Sequence, residues 1–198
     1  MSPGLVLASK STARRAVLQG AGVPFEAVGS GVDEEVTKAE LVAKRATPRQ
    51  VAEALAEEKA LAVSVGRPEL VLGADQTLEF QGKLYDKTET LAAARERLQT
   101  LRGKPHMLHS AVVVAERGAV VWRETQSATL RMRDFSDSFL DSYLAEEGEA
   151  ALGSVGCYRL EAQGVQLFSK IEGDYFTILG LPLMGLLELL RKRGILAP

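Results

Sequence analysis

"LVLASKSTARRAVL", residues 5–18, passes from four apolar residues straight into Ser9, Lys10, Ser11 and Thr12, then into two arginines and a second apolar run. The apolar start reads as a buried strand over residues 4–8. The hydroxyls read as the cap of a helix over residues 11–21, with Ser9 or Ser11 at the N-cap. A strand that feeds directly into a helix is the opening unit of an α/β protein. The first amides of such a helix are unpaired and sit at the positive end of its macrodipole, so a phosphate suits the position. Lys10, Arg14 and Arg15 add charge, and Arg14 falls one turn in, where a guanidinium can fork onto phosphate oxygens. A plain capped helix with solvated basic residues is the other reading of the same stretch. No G-x-x-x-x-G-K-[ST] loop occurs in the chain.

The alternation continues outward. "VPFEAVGSGVDEE" reads as a second strand ending in an acidic loop, and "TPRQVAEALAEEKALAVSVG" as a helix with Pro48 in its first turn. Val51, Leu55, Leu61 and Val65 form its apolar stripe, interrupted by alanines. "ELVLGAD" is a short apolar strand ending at Asp75, and "TLEFQGKLYD" a hairpin turning at Gln81-Gly82. "TETLAAARERLQTLRG" is a helix capped by Thr88 or Thr90 and closed by Gly103. Two long strands follow, "MLHSAVVVAER" and "AVVWRETQSATLRMR", turning near Arg117-Gly118, and then a helix capped by Ser136. "VGCYRLEAQGVQLFSKIEGD" alternates like a further hairpin, and "PLMGLLELLRKRG" closes the chain as an amphipathic helix stopped at Gly194. The class is α/β with a mixed sheet.

The chain has 198 residues, 46% of them hydrophobic and 25% charged, enough for one large domain or two small lobes around a substantial core. No Pro/Gly/Ser-rich linker divides it, so residues 1–198 read as a single domain. A net charge of −2 and a pI near 5.8 provide no basic field for nucleic acid or anionic lipid. The single Cys157 makes no intramolecular disulfide and no zinc site, and reads as a small buried thiol. Neither a signal peptide nor an apolar run of about 18 residues is present, so the expectation is a soluble, cytoplasmic protein without a membrane or nucleic-acid partner.

Chemistry concentrates in a few places. Asp75, at the carboxyl end of an apolar strand, lies where open α/β sheets bind ligands, and it can hold Mg²⁺ or take a proton from water. Capping the next turn is its alternative role. Lys59 on its helix can meet an anion or serve as an exposed i,i+4 ion-pair partner, and Lys87, where a hairpin ends and a helix begins, can meet an anion too. Asp33, Glu34 and Glu35 are either a solvated charge run or a source of a carboxylate for a divalent cation opposite Asp75. His106 and His109 lack the neighbours of a metal site, and His106 reads as a structural or supporting residue. "KIEGDYFTILGLPL" reads as a tight turn, a strand and a Pro-started helix, mostly architecture. Anion binders, a strand-end Asp and acidic metal candidates suit hydrolysis of a phosphoanhydride. Covalent acyl chemistry has no support, because no G-x-S-x-G elbow is present.

Taken in order, "LASKSTARRAVL", "VDEE", "LAEEKALAV", "LGADQTL", "DKTETLAAARERLQTLRGKPHMLHSAV", "GSVGCYRLEAQG" and "IEGDYFTILGLPL" resemble the Maf family of nucleoside triphosphate pyrophosphatases, also called septum formation inhibitor proteins. Each piece alone is weak; together they cover almost the whole chain. The resemblance implies two α/β lobes around a cleft on a mixed twisted sheet, as in inosine triphosphate pyrophosphatase, often as a homodimer. It implies cleavage of a nucleoside triphosphate between the α and β phosphates, with Mg²⁺ or Mn²⁺. Ser9, Ser11 and Arg14 match the family's S-x-S-x-x-R phosphate motif, Lys59 its K-A lysine and Lys87 the lysine of G-K-P. Glu34 matches the acidic residue of its D-E pair, a metal candidate together with Asp75. Asp75 itself matches the aspartate taken as proton acceptor.

The departures concern specificity. Thr12-Ala13, Asp75-Gln76 and Glu161 stand where the dTTP/UTP type carries Pro-Arg, Asp-Thr and Gln. Gln76 and Glu161 look more like the branch acting on 7-methyl-GTP, which usually has Trp at the place of Ala13. Tyr85-Asp86-Lys87-Thr88 keeps the lysine of G-K-P and loses its rigid turn. The rival readings are a non-catalytic nucleotide-binding or cell-division interaction protein on the same scaffold, and a phosphatase or kinase using the same groups.

Overall fold

The computed structural model describes residues 4–198. Strand β1 (Leu5–Ala8) is wholly buried and runs into helix α1 (Thr12–Gly20), as the opening stretch predicts. Strand β2 (Glu26–Val28) follows, then α2 (Glu34–Ala43) and α3 (Pro48–Ser64). Strand β3 (Leu70–Phe80) turns through Gln81-Gly82 into β4 (Lys83–Tyr85), and both turn residues have positive φ, as a tight hairpin requires. Next come α4 (Leu91–Leu101), capped by Thr90, and the long strands β5 (Pro105–Glu116) and β6 (Ala119–Met132). The chain ends with α5 (Asp137–Glu147), strand β7 (Phe168–Glu172), α6 (Tyr175–Ile178) and α7 (Met184–Lys192).

The strands form one mixed sheet of seven, in the order β2-β1-β3-β5-β6-β7 with β4 paired to β3. β1 pairs in parallel with β2 and β3, whereas the β3–β4, β3–β5, β5–β6 and β6–β7 pairs are antiparallel. One apolar cluster joins α1 and α7 to β1, β3 and β5 through Leu7, Leu18, Leu72, Val112 and Leu186. Another joins α4 and α5 to the far ends of β3, β5 and β6 through Leu78, Leu98, Leu108, Leu130 and Tyr143. Helix α3 covers the opposite face of the sheet with Ala52, Ala56 and Ala60 against Ala111, Val113 and Ala115.

Five expectations need correction. The strand expected to end at Asp75 and the first arm of the hairpin after it are one strand, because β5 pairs with β3 without interruption from Val71 to Glu79. Asp75 instead lies three residues past Leu72, the last β3 residue paired to β1, so it stands beyond the carboxyl end of β1 and midway along β3. The acidic loop is the start of α2: the Asp33 side chain accepts from the Val36 amide at 3.4 Å, and Glu34 and Glu35 occupy the first turn, which the dipole favours. The hairpin expected over residues 155–174 is absent. Two 3-10 turns, Gly148–Gly153 and Gln163–Leu167, precede the single strand β7, and the four residues before the Gly180 turn form α6, not a strand. The buried stripe of α3 is shifted as well: Val65 is exposed, and the alanine face meets the sheet.

That close approach explains Gly73. A Cβ there would lie 2.1 Å from the Ala56 carbonyl oxygen and 2.6 Å from the Ala60 nitrogen, so helix and strand fit only around a glycine. One turn beyond Ala56, the same helix face delivers Lys59 to Asp75.

Candidate active site

Strand alternation puts Gly73, Asp75 and Thr77 on the α3 side of the sheet and Gln76 on the other. Lys59 reaches Asp75 from α3: its Nζ donates to Asp75 Oδ1 at 2.7 Å and pairs with Glu34 Oε1, on the first residue of α2, at 2.9 Å. Lys59 is 5% exposed and Asp75 7%, so this is a buried ion cluster in which each charge depends on its partners. Burial pushes the Asp75 carboxyl above the usual range, against the pull of Lys59 and Arg14.

Ser11 caps α1, its side chain accepting from the Arg14 amide at 3.3 Å. Ser9 Oγ accepts from the Ser11 amide at 3.2 Å and from Arg14 Nη1 at 3.3 Å. Arg14 Nε donates to the Gly180 carbonyl at 2.9 Å, and the glycine's φ of +86° turns that carbonyl toward the guanidinium. Burial pulls the Arg14 pKa below its ordinary value, while the negative charges of Asp75 and Glu34 raise it. Lys87 keeps much of its surface in solvent. Its pKa is lowered by the burial of its ammonium and then by the positive charge of Arg14; Asp75 and Glu34 raise it. The site expected from Ser9, Ser11, Arg14, Glu34, Lys59, Asp75 and Lys87 is therefore drawn together from α1, α2, α3, β3 and the loop before α4. Three positive and two negative side chains meet there.

The specificity candidates separate. Ala13 and Glu161 line one cavity of about 380 Å³ beside α1, together with Tyr175 and Phe176. Gln76 is not among its lining residues. The Gln76 amide nitrogen donates to Ser110 Oγ at 2.9 Å and to the carbonyls of Thr177 and Ile178 at 3.1 and 3.0 Å. It anchors α6 from below. Asp174 caps α6, accepting from the Thr177 amide at 2.7 Å. Tyr175 and Phe176, read from sequence as architecture, are thus a wall of this cavity.

The histidines are held by neutral partners or a carboxylate away from the ion cluster. His106 Nε2 pairs with Tyr158 OH at 2.7 Å, and burial lowers its pKa to about 4. His109 bridges Ser127 Oγ at 2.7 Å and Glu79 Oε2 at 2.9 Å. Cys157 is fully buried against Thr88 Oγ1, and burial raises its pKa, as a structural thiol requires. No group of three His, Cys, Asp or Glu side chains poised for a metal occurs among the described residues. No helix among them is long and apolar enough to cross a membrane.

A family model described as Maf-like protein matches residues 4–193. The chain belongs to the Maf family. A protein of Caulobacter vibrioides named nucleoside triphosphate pyrophosphatase is 60% identical over 192 residues, 97% of this chain and 96% of the relative. A protein of Rhizobium meliloti named 7-methyl-GTP pyrophosphatase is 47% identical over 195 residues, 98% of each chain. Another of that name, from Brucella abortus, is 46% identical over 193 residues, 97% of each. Within the Maf fold, the S-x-S-x-x-R motif is thus the turn after β1 together with the first turn of α1, and the strand Asp lies within electrostatic reach of its arginine.

Proposed function

We propose that this Maf protein hydrolyses nucleoside triphosphates between the α and β phosphates, releasing a nucleoside monophosphate and pyrophosphate. The convergence of Arg14, Lys59 and Lys87 on the buried Asp75 carries this reading. A triphosphate brings about four negative charges, and the cluster has an excess of one positive charge, so the site attracts the substrate and leaves a remainder of negative charge for a divalent cation to offset. The α1 N-terminus with Ser9 and Ser11 receives phosphate oxygens, and Arg14, fixed by Gly180 and Ser9, orients them. Asp75 accepts the proton of the attacking water, and the burial that raises its pKa makes it a stronger base. Lys59 and Lys87 balance the charge that builds on the departing pyrophosphate.

Mg²⁺ or Mn²⁺ fits the donor set. Lys59 meets one oxygen each of Glu34 and Asp75, leaving the second oxygen of each carboxylate, and such cations favour one or two carboxylates plus substrate phosphates. Glu34 and Asp75 would hold the cation, and when bound it would supply Lewis-acid neutralisation of charge on the leaving group. For the base we propose a modified purine, with 7-methyl-GTP as the leading substrate. Glu161 on the cavity beside α1 and the names of two relatives support this choice.

The test is a panel of canonical and methylated nucleoside triphosphates with Mg²⁺, Mn²⁺ or chelator, assayed for pyrophosphate, orthophosphate and monophosphate. Pyrophosphate release that stops with chelator is expected, strongest on 7-methyl-GTP. Asp75→Asn is expected to lose about 10³-fold in kcat while its circular dichroism is unchanged. Orthophosphate release would point to a phosphatase. Binding without turnover would overturn the enzyme reading in favour of a nucleotide-binding protein.

A further inference from the structure

The cavity beside α1 has a composition that bears on what enters it. Ala13, Ala16 and Val17 of α1 line it together with Leu179, Phe176 and Tyr175, and Glu161 joins them. Among its described lining residues, Glu161 alone carries charge. Arg159 Nε reaches Glu161 Oε1 at a long 3.4 Å, but its Nη1 also holds Glu147 Oε2 at 3.3 Å, so one arginine is shared between two carboxylates and negative charge is in excess. Tyr175 is 46% exposed, unusual for a large ring that nothing in the hydrogen-bond network of the site requires. Its mounting is nevertheless rigid. Asp174 caps the helix it starts, Gln76 grips the next carbonyls of that helix, and Phe176 packs edge-on to its ring at 5.8 Å.

Ala13, one residue before the phosphate-orienting Arg14, lines the cavity, so a base linked through its ribose to an α phosphate at Arg14 lies within reach of it. A rigid, exposed aromatic face has a negative quadrupole that attracts a flat cation, and an excess carboxylate on the same cavity adds to it. Nothing in the lining offers a positive group for a neutral base's acceptors. We propose that Tyr175 is the stacking surface for the nucleobase and that, with Glu161, it selects purines whose ring carries a positive charge, as an N-methylated guanine does. The proposal rests on the pyrophosphatase reading of the neighbouring site.

The test compares kcat/KM for 7-methyl-GTP and GTP in the wild type, Tyr175→Leu and Tyr175→Phe, with thermal melts to verify folding. Leucine keeps apolar contact but removes the π face. Tyr175→Leu is expected to lose about tenfold in kcat/KM for 7-methyl-GTP, through KM, with a smaller loss for GTP. Tyr175→Phe restores the preference. An unchanged 7-methyl-GTP to GTP ratio in the leucine variant overturns the proposal and leaves the pyrophosphatase reading intact. If the wild type turns over no nucleotide, that reading fails first. Calorimetric binding of 7-methyl-GMP then decides the role of Tyr175: about tenfold weaker binding in Tyr175→Leu supports it, and equal binding overturns it.

Discussion

Helices α2 and α3 each send one charged residue to the same ammonium–carboxylate cluster, and they are held in opposite ways. Eight residues of α3 are buried, its start is fixed by a reciprocal cap between Thr47 and Gln50, and its alanine face lies against Gly73 at backbone contact. Helix α2 buries none of its residues and leaves Val36 and Val42 exposed. Three polar ties hold it: Glu34 to Lys59, Thr37 Oγ1 to Glu58 at 2.7 Å, and Lys38 to Asp86 at 2.8 Å. Lys59 therefore takes its position from packing, where displacement by a fraction of an ångström costs contacts. Glu34 takes its position from its pairing with buried Lys59 and from two polar ties of α2, to half-buried Glu58 and to exposed Asp86, with no buried apolar face behind it. The base–lysine pair is built rigid, and the second carboxylate is delivered on an adjustable arm.

Substitutions that attack one helix at a time test that contrast. Gly73→Ala strikes the α3 seat: its Cβ meets backbone atoms that have nowhere to go, so a loss of about 3 kcal/mol or more is expected in urea unfolding, with Lys59 displaced and turnover reduced. Thr47→Ala removes only the cap of α3. About 1 kcal/mol should go from global stability with little change in turnover, because Lys59 lies three turns away and is held by packing. Thr37→Val cuts one tie of α2. Global stability should move by less than about 0.5 kcal/mol, while amide exchange in α2 rises a few-fold and that in α3 does not. Equal exchange changes in both helices would erase the distinction.

What the sequence made legible follows the same division. The strand-to-helix start at residues 5–18, the Pro48 helix and the turns at Gln81-Gly82 and Arg117-Gly118 are written in local chemistry: caps, a proline, residues with positive φ. Helix α2 escaped because it has no apolar stripe to follow; Asp33 followed by two acidic residues was its one available sign. Residues 155–174 alternate like strands, but the turn there depends on Gly164, where a Cβ would lie 2.4 Å from the Arg159 carbonyl oxygen, a contact the local pattern does not reveal. At the site, the convergence of Ser9, Arg14, Glu34, Lys59, Asp75 and Lys87 follows the order of the motifs. Reading the strand as ending at Asp75 hid the alternation that turns Gln76 to the opposite face, where it supports α6. Tyr175 carries no local mark at all, since it becomes a cavity wall only when residues 175–183 pack beside α1.

The long central strands decide how the molecule can move. β5 and β6 pair over the whole length of the shorter one, and β3 pairs with β5 for nine residues, so both apolar clusters grow on the same three strands. At about 3.4 Å per residue this ribbon is a stiff beam of roughly 40 Å. Bending one end of the molecule against the other would tear ladder bonds in adjacent strands together. The shared ladder therefore ties the two apolar clusters together as one stiff support for the site.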